Sequence, residues 1–149
     1  MTTGVKALFI DTNILIYSTN PASPFHQAAI TVLKETYDQG IERTISTQIL
    51  REFYGFATRP GEHGVMPPLT PILRSIQSFQ RSFRVLDDTH IVSLRLFDHL
   101  VQKTQIGGRQ IHDANIVATM LTYGTTHLLT NNPAHFARFA EVITIVPLV

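Results

Sequence analysis

Three acidic residues stand where the surrounding pattern leaves little ordinary use for a charge. Asp11 follows the apolar run ALFI in ALFIDTNILIYS, residues 7–18. Burying an ionised carboxylate there without a partner would cost several kcal/mol or more. Asp11 is therefore either a cap between a strand and a helix or a group kept for chemistry. Glu52 lies in QILREFYGFA, 48–57, where Ile49, Phe53 and Phe56 share one helical face at ~100° per residue and Glu52 falls on its margin. Arg51 and Arg59 offer it an ordinary surface pairing. Asp113 repeats the arrangement in IHDANIVATML, 111–121, beside an apolar face of Ala114, Val117, Ala118 and Leu121. An acid in the first turn is also favoured by the helix dipole, which is the plainer reading.

If the three carboxylates meet, they repel, and one of them has a raised pKa unless a cation neutralises the group. Mg2+ or Mn2+ suits that task, because both are hard ions that take oxygen ligands and often need only one or two carboxylates. A fourth position is LLTNNPAHF, 128–136, where Thr130 closes an apolar run with a hydroxyl. Asn132 can hydrogen-bond a water or a carboxylate without adding charge, although Asn-Pro is equally a turn signal.

These residues need elements to carry them. KALFI (6–10) reads as a buried strand, and a helix follows over 25–38, with Ser23 and Pro24 as cap and first position and Gly40 past its end. RTI (43–45) is too short to assign alone; Ser46 or Thr47 then caps a helix through about Thr58. The Pro- and Gly-rich stretch 59–71 is a loop, after which Thr70 and Pro71 open a helix to about Arg81. FRVL (83–86) reads as a strand, and 89–104 as a helix with Ile91, Leu94, Phe97, Leu100 and Val101 on its apolar face. A loop at 105–110, a helix at 111–123 ended by Gly124, a strand at 126–130, a short helix and a last strand at 142–146 complete the chain.

Buried strands alternating with helices imply one three-layer α/β/α sandwich over residues 1–149, with a central, mostly parallel sheet. In such sheets ligands bind beyond the carboxyl ends of the strands, where both Asp11 and Thr130–Asn132 fall.

At 149 residues and 44% hydrophobic content, the chain is sized and composed for one globular domain. A net charge of +1 announces no nucleic-acid partner through a whole-molecule field. Nine arginines against three lysines are compatible with phosphate contacts, since the guanidinium fork binds phosphate in a bidentate manner. The lack of Cys excludes disulfides, thiolate zinc sites and a thiol nucleophile. No apolar run reaches the ~18 residues of a membrane span or forms a signal-peptide core, so no membrane association and a cytoplasmic location are expected.

Taken together, FIDTNILIY, STQILREF, IHDANIVATM and LLTNNPAHF resemble, in order and spacing, the four motifs of the PIN domain. The toxins of VapC type, from bacterial and archaeal toxin–antitoxin pairs, are the nearest relatives by appearance. The resemblance runs from Phe9 to about Val146. It implies a Mg2+- or Mn2+-dependent endoribonuclease with Asp11, Glu52 and Asp113 as its acids. Asp11 and Asp113 would ligate the metal, Glu52 would serve as general base or hold the attacking water, and Asn13, Ser46 and Thr130 would give support. It further implies an RNA substrate, a small VapB-like antitoxin and a homodimer. Asn132 belongs to this catalytic set but stands where many PIN domains carry a fourth acid. His135, preceding Phe136, stands where an acid is also frequent; it either meets RNA phosphate or faces solvent. Arg109 is likewise a phosphate contact or an exposed loop residue.

Two rivals remain. Phosphatases with an Asp nucleophile also place that Asp after the first strand, but require an acid two residues later, where this chain has Asn13. A PIN scaffold that binds RNA or a protein without cutting is the non-enzymatic alternative.

Overall fold

The computed structural model describes residues 4–149. Its first strand shows why the chain layers as it does. In β1 (Ala7–Ile10), successive side chains point to opposite faces of the sheet, yet Leu8, Phe9 and Ile10 are all fully buried. Both faces must therefore be covered. The remaining strands are β2 (Glu42–Ser46), β3 (Arg84–Leu86), β4 (His127–Thr130) and β5 (Thr144–Pro147). Among the described residues they form one parallel sheet of five strands in the order β3-β2-β1-β4-β5. The register sets Phe9 beside Thr44 on one side and Leu128 on the other.

This order reverses direction at β1. The chain runs outward through β2 to β3, then crosses back to lay β4 on the other side of β1. The crevice beyond the ends of β1 and β4 is the switch point at which such sheets bind ligands. Asp11 and Thr130 occupy its two rims.

Around the sheet run α1 (Thr12–Thr19), α2 (His26–Asp38), α3 (Thr47–Ala57), α4 (Leu69–Ser82), α5 (His90–Arg95), α6 (Val101–Thr104), α7 (Gln110–Thr122) and α8 (Pro133–Phe136). Gly40 and Gly124 end α2 and α7 at φ of 70° and 76°, a conformation that only glycine adopts without strain. The next N–H then reaches back: Ile41 to the Thr36 carbonyl, Thr125 to that of Met120. The four-residue α8 holds its place through Phe136 and, in the 3-10 turn that follows, Phe139, both 1% exposed. No helix among the described residues is long and apolar enough to cross a membrane.

Several local expectations are corrected. RTI is the middle of β2, where Thr44 is buried and its hydroxyl bonds the Leu8 carbonyl at 3.4 Å. Ser23 does not cap α2; its Oγ accepts from the Phe25 N–H at 3.1 Å and closes the preceding turn. Helix α4 begins at Leu69, before Thr70, and Pro71 is tolerated because the first N–H groups of a helix have no partner within it.

The segment 89–104 differs most. Val92, Leu96 and Leu100 are buried, whereas Ile91, Leu94 and Phe97 are exposed. A π-helical turn, Leu96–Leu100, interrupts the α-helix, with the Val101 N–H bonding the Leu96 carbonyl. Val92, Leu96 and Leu100 recur at a spacing of four, and this row rather than that of Ile91, Leu94 and Phe97 faces the core.

Candidate functional site

Asp11 is held from both sides of the switch point. Its own N–H donates to the Leu129 carbonyl at 3.0 Å, which prolongs the pairing of β1 with β4. Its Oδ1 accepts from the Thr12 N–H at 2.8 Å and caps α1. Its Oδ2 accepts from Thr130 Oγ1 at 2.7 Å and Asn13 Nδ2 at 3.3 Å. Capping and chemistry are thus not alternatives here, since one oxygen serves the helix while the carboxylate as a whole stays near the other acids. Burial drives its pKa up, the Thr130 and Thr12 donors oppose the rise, and the Asp113 charge adds to it.

Glu52 enters from α3. The Thr12 hydroxyl donates to Oε1 at a long 3.5 Å, and the buried Oε2 has no hydrogen-bond partner among the described residues. Its pKa is pushed up to about 7, first by burial and then by the charges of Asp11 and Asp113. Of the two arginines expected to offset it, Arg51 does oppose the rise, though weakly and without an ion pair to Glu52, while Arg59 is turned elsewhere. Arg51 lies 3.8 Å from Asp88, and Arg59 stacks on Phe56 at 4.9 Å.

Asp113 stands in the first turn of α7. Burial raises its pKa, while His135, His112 and Arg138 oppose the rise. The fold therefore brings Asp11, Glu52 and Asp113 near enough for Glu52 to feel both of the others.

Among the polar residues, Asn13 ties three chain segments together. Its Nδ2 donates to Asp11 Oδ2 and, at 3.4 Å, to Thr130 Oγ1, while its Oδ1 accepts from the Asn131 N–H at 3.2 Å. Thr130 is buried and also accepts from the Asn132 N–H at 3.0 Å. Ser46 caps α3 by accepting from the Ile49 N–H at 3.4 Å, so its contact is with the helix start rather than with a carboxylate. Asn132 is exposed, and its backbone rather than its amide reaches Thr130.

Some contributors carry no sequence signal of their own. Thr12 bridges Asp11 and Glu52. Buried Gln48, one turn before Glu52, donates to the His112 carbonyl at 2.9 Å and accepts from Asn115 Nδ2 at 2.8 Å, joining α3 to α7. Asn131, passed over in favour of its neighbour, donates from its amide to the Tyr17 hydroxyl at 3.2 Å.

Among the described residues, no three His, Cys, Asp or Glu side chains form a ready-made metal cage. The donors nonetheless fit a hydrated divalent cation. They are carboxylate oxygens, the charges of Asp11 and Asp113 raise the Glu52 pKa and that of Asp113 raises the Asp11 pKa, and among the described residues the buried Glu52 Oε2 has no donor. An ion such as Mg2+ commonly keeps several waters and takes only one or two carboxylates directly. Asp11 and Asp113 are the pair that would hold it.

The family model of the PIN domain matches residues 8–142. No curated protein matches the chain. Solved structures do. The VapBC2 structure from Rickettsia felis, bound to a promoter DNA fragment, superposes with a TM-score of 0.66 at 16% identity, covering 95% of this chain and 98% of that one. VapBC from Salmonella typhimurium, also DNA-bound, gives 0.68 at 18%, covering 96% and 98%. VapC20 from Mycobacterium tuberculosis, described as a toxin that cleaves the sarcin–ricin loop, gives 0.59 at 18%, covering 81% and 86%. At such identities the likeness is one of fold.

Proposed function

The chain belongs to the PIN-domain family, and from that premise we propose that it is a divalent-cation-dependent endoribonuclease, the toxin of a toxin–antitoxin pair. The observation that carries this reading is the group formed by Asp11, Glu52 and Asp113 at the switch point, with one buried carboxylate oxygen of Glu52 lacking a donor among the described residues. The nearby solved folds, described as VapBC assemblies and as a toxin that cuts the sarcin–ricin loop, support the substrate class and the partner.

Asp11 and Asp113 would hold the cation. When bound, Mg2+ or Mn2+ supplies Lewis acidity, which lowers the pKa of water and offsets charge on the phosphate oxygens. Glu52, with a pKa near neutrality in the metal-free protein, is placed to take the proton of the attacking water. The new P–O bond forms from that water as the bond to the 3′-oxygen breaks, and the leaving oxygen takes a proton from solvent. The products end in a 5′-phosphate and a 3′-hydroxyl. Thr12, Asn13 and Thr130 keep the Asp11 carboxylate oriented. Because the site lies in a strand-end crevice, single-stranded or looped RNA is the fitting substrate. A small antitoxin covering the acids, a homodimer and a cytoplasmic setting complete the proposal.

Incubation of the purified protein with single-stranded RNA and Mn2+ tests the reading. Cleavage should stop with EDTA and fall by at least ~10²-fold in Asp11→Asn or Asp113→Asn. Undiminished cleavage by either variant would overturn the site assignment.

A further inference from the structure

A cleft of about 300 Å3 opens beside Asp113, lined by Arg109, Gln110, Asp113, Ala134, His135 and Arg138. Its charge balance runs opposite to that of the three acids next to it. Two guanidinium groups and an imidazole face one carboxylate. Arg138 Nη1 donates to the neutral Gln110 Oε1 at 3.2 Å, a bond that spans from the 3-10 turn to α7 without cancelling charge. Among the described residues, neither Arg109, Arg138 nor His135 lies within ion-pair distance of a carboxylate.

The local fold explains this presentation. Phe136 and Phe139 are buried, and the residue before each, His135 and Arg138, is exposed and lines the cleft. Arg109 flanks the start of α7 across from them. Among the described residues no Phe, Tyr or Trp lines the cleft, so positive charge rather than a large ring platform is its dominant feature. Arginine forks with free donors are instead matched to phosphate oxygens.

We propose that this cleft binds a backbone phosphate of single-stranded RNA adjacent to the one being cut, with Arg109 and Arg138 as its principal contacts. The inference rests on the ribonuclease reading above and adds to it the site that holds the substrate strand. Three acids by themselves repel a polyanion, and a chain of net charge +1 has no general field to overcome that repulsion. Beside the charge of the proposed cation, this cleft supplies local positive charge, with Arg109 one helical turn from Asp113.

The test is RNA binding, measured separately from cleavage. A fluorescent single-stranded oligonucleotide is titrated by anisotropy across a salt series, once in EDTA and once in Ca2+. Arg109→Gln and Arg138→Gln should each weaken binding by roughly 5–10-fold, and the two together should reduce the slope of log K against log salt by ~0.7, one phosphate contact on a single strand. In cleavage assays with Mn2+ the same variants should raise KM more than they lower kcat. Arg138→Lys should keep the salt slope while losing part of the affinity. Lys34→Gln, remote from the cleft on α2, should behave as wild type. Unchanged affinity and slope in both glutamine variants would overturn the cleft assignment while leaving the nuclease intact. Failure of the wild-type protein to bind RNA in both series would instead remove the ribonuclease reading, and the cleft with it.

Discussion

Thr130 and Asp11 stand 119 positions apart in the chain, yet the Thr130 hydroxyl donates to Asp11 Oδ2 at 2.7 Å. The two residues end adjacent parallel strands, so the fold that pairs Ile10 with Leu129 also sets this bond. It is among the shortest ties in the site and holds an acid that is only 8% exposed. Thr130→Val keeps the shape but leaves the carboxylate and the Asn132 N–H without that oxygen. A loss of ~1–3 kcal/mol follows for such buried polar groups. Because the hydroxyl favours the charged form, its removal raises the Asp11 pKa further. The deficit should therefore be larger at pH 8 than at pH 5, and Thr130→Ser should restore most of it. Denaturant unfolding at the two pH values measures this, and a pH-independent deficit would sink the argument.

Glu52 gives the opposite sign on substitution. Its pKa rises from an ordinary 4.5 to about 7 in the folded chain, chiefly through burial. A carboxyl that holds its proton more tightly when folded contributes a stability that is lost as pH climbs from 4.5 to about 7, leaving a full penalty above that. Glu52→Gln removes the penalty. In EDTA at pH 8 the variant should melt a few degrees above wild type, about 1 kcal/mol once solvent screening of this partly exposed group is counted. At pH 4 the two should coincide. Scanning calorimetry decides, and equal melting temperatures at pH 8 would count against the buried-charge account. On the proposed mechanism, in which Glu52 is the base, the same variant should also lose cleavage by ~10²-fold.

On the proposed function, a bound cation would offset the same repulsion from outside the chain. A ligand that binds only the folded state at ~100 times its Kd stabilises by about 2.7 kcal/mol, which for this size is roughly 5–10 °C. Mn2+ should therefore raise the melting temperature of wild type and flatten its decline between pH 5 and 8. Asp113→Asn should lose most of that response. An equal Mn2+ shift in the variant would place the ion elsewhere, and no shift in wild type would argue for a scaffold without a metal.

How much of this was legible in advance depended on the range of the interaction. ALFI, HLLT and their neighbours read as strands because both faces of a parallel sheet demand apolar side chains, so the pattern is local and continuous. Glu52 and Asp113 stood out because an acid on the margin of an apolar stripe is a local anomaly. β2 did not read as a strand because Arg43 and Thr44 break its apolar run. In the fold the Arg43 guanidinium stacks on Phe83 at 4.8 Å, and the Thr44 hydroxyl finds the Leu8 carbonyl. In 89–104 two apolar rows at helical spacing, Ile91–Leu94–Phe97 and Val92–Leu96–Leu100, compete, and only packing in the fold selects the second. Thr12, Gln48 and Arg138 were invisible for a simpler reason. Their partners Glu52, His112 and Gln110 lie 40, 64 and 28 residues away, where no local pattern reaches.

Gln48 makes the last of these consequences testable. Its amide donates to the His112 carbonyl and accepts from Asn115, so it fixes the helix that bears Glu52 against the helix that bears Asp113. Asn115 is anchored in turn by Asp88 Oδ2 at 3.0 Å. Gln48→Leu preserves volume but leaves a carbonyl and an amide unmet, which costs ~1–3 kcal/mol. A purely structural role predicts lower stability with unaltered kinetics in the fraction that remains folded. A positioning role predicts that kcat falls roughly tenfold at temperatures well below melting, while KM for RNA stays near its wild-type value. It also predicts that Mn2+ stabilises the variant less, since Glu52 and Asp113 no longer share one registered site. Gln48→Glu separates the two parts of the clamp, because it keeps the acceptor for Asn115 and loses the donor to His112. An intermediate kcat for that variant fits two helices held by two bonds, whereas wild-type kcat in Gln48→Leu would show that the packing of α3 on α7 suffices without them.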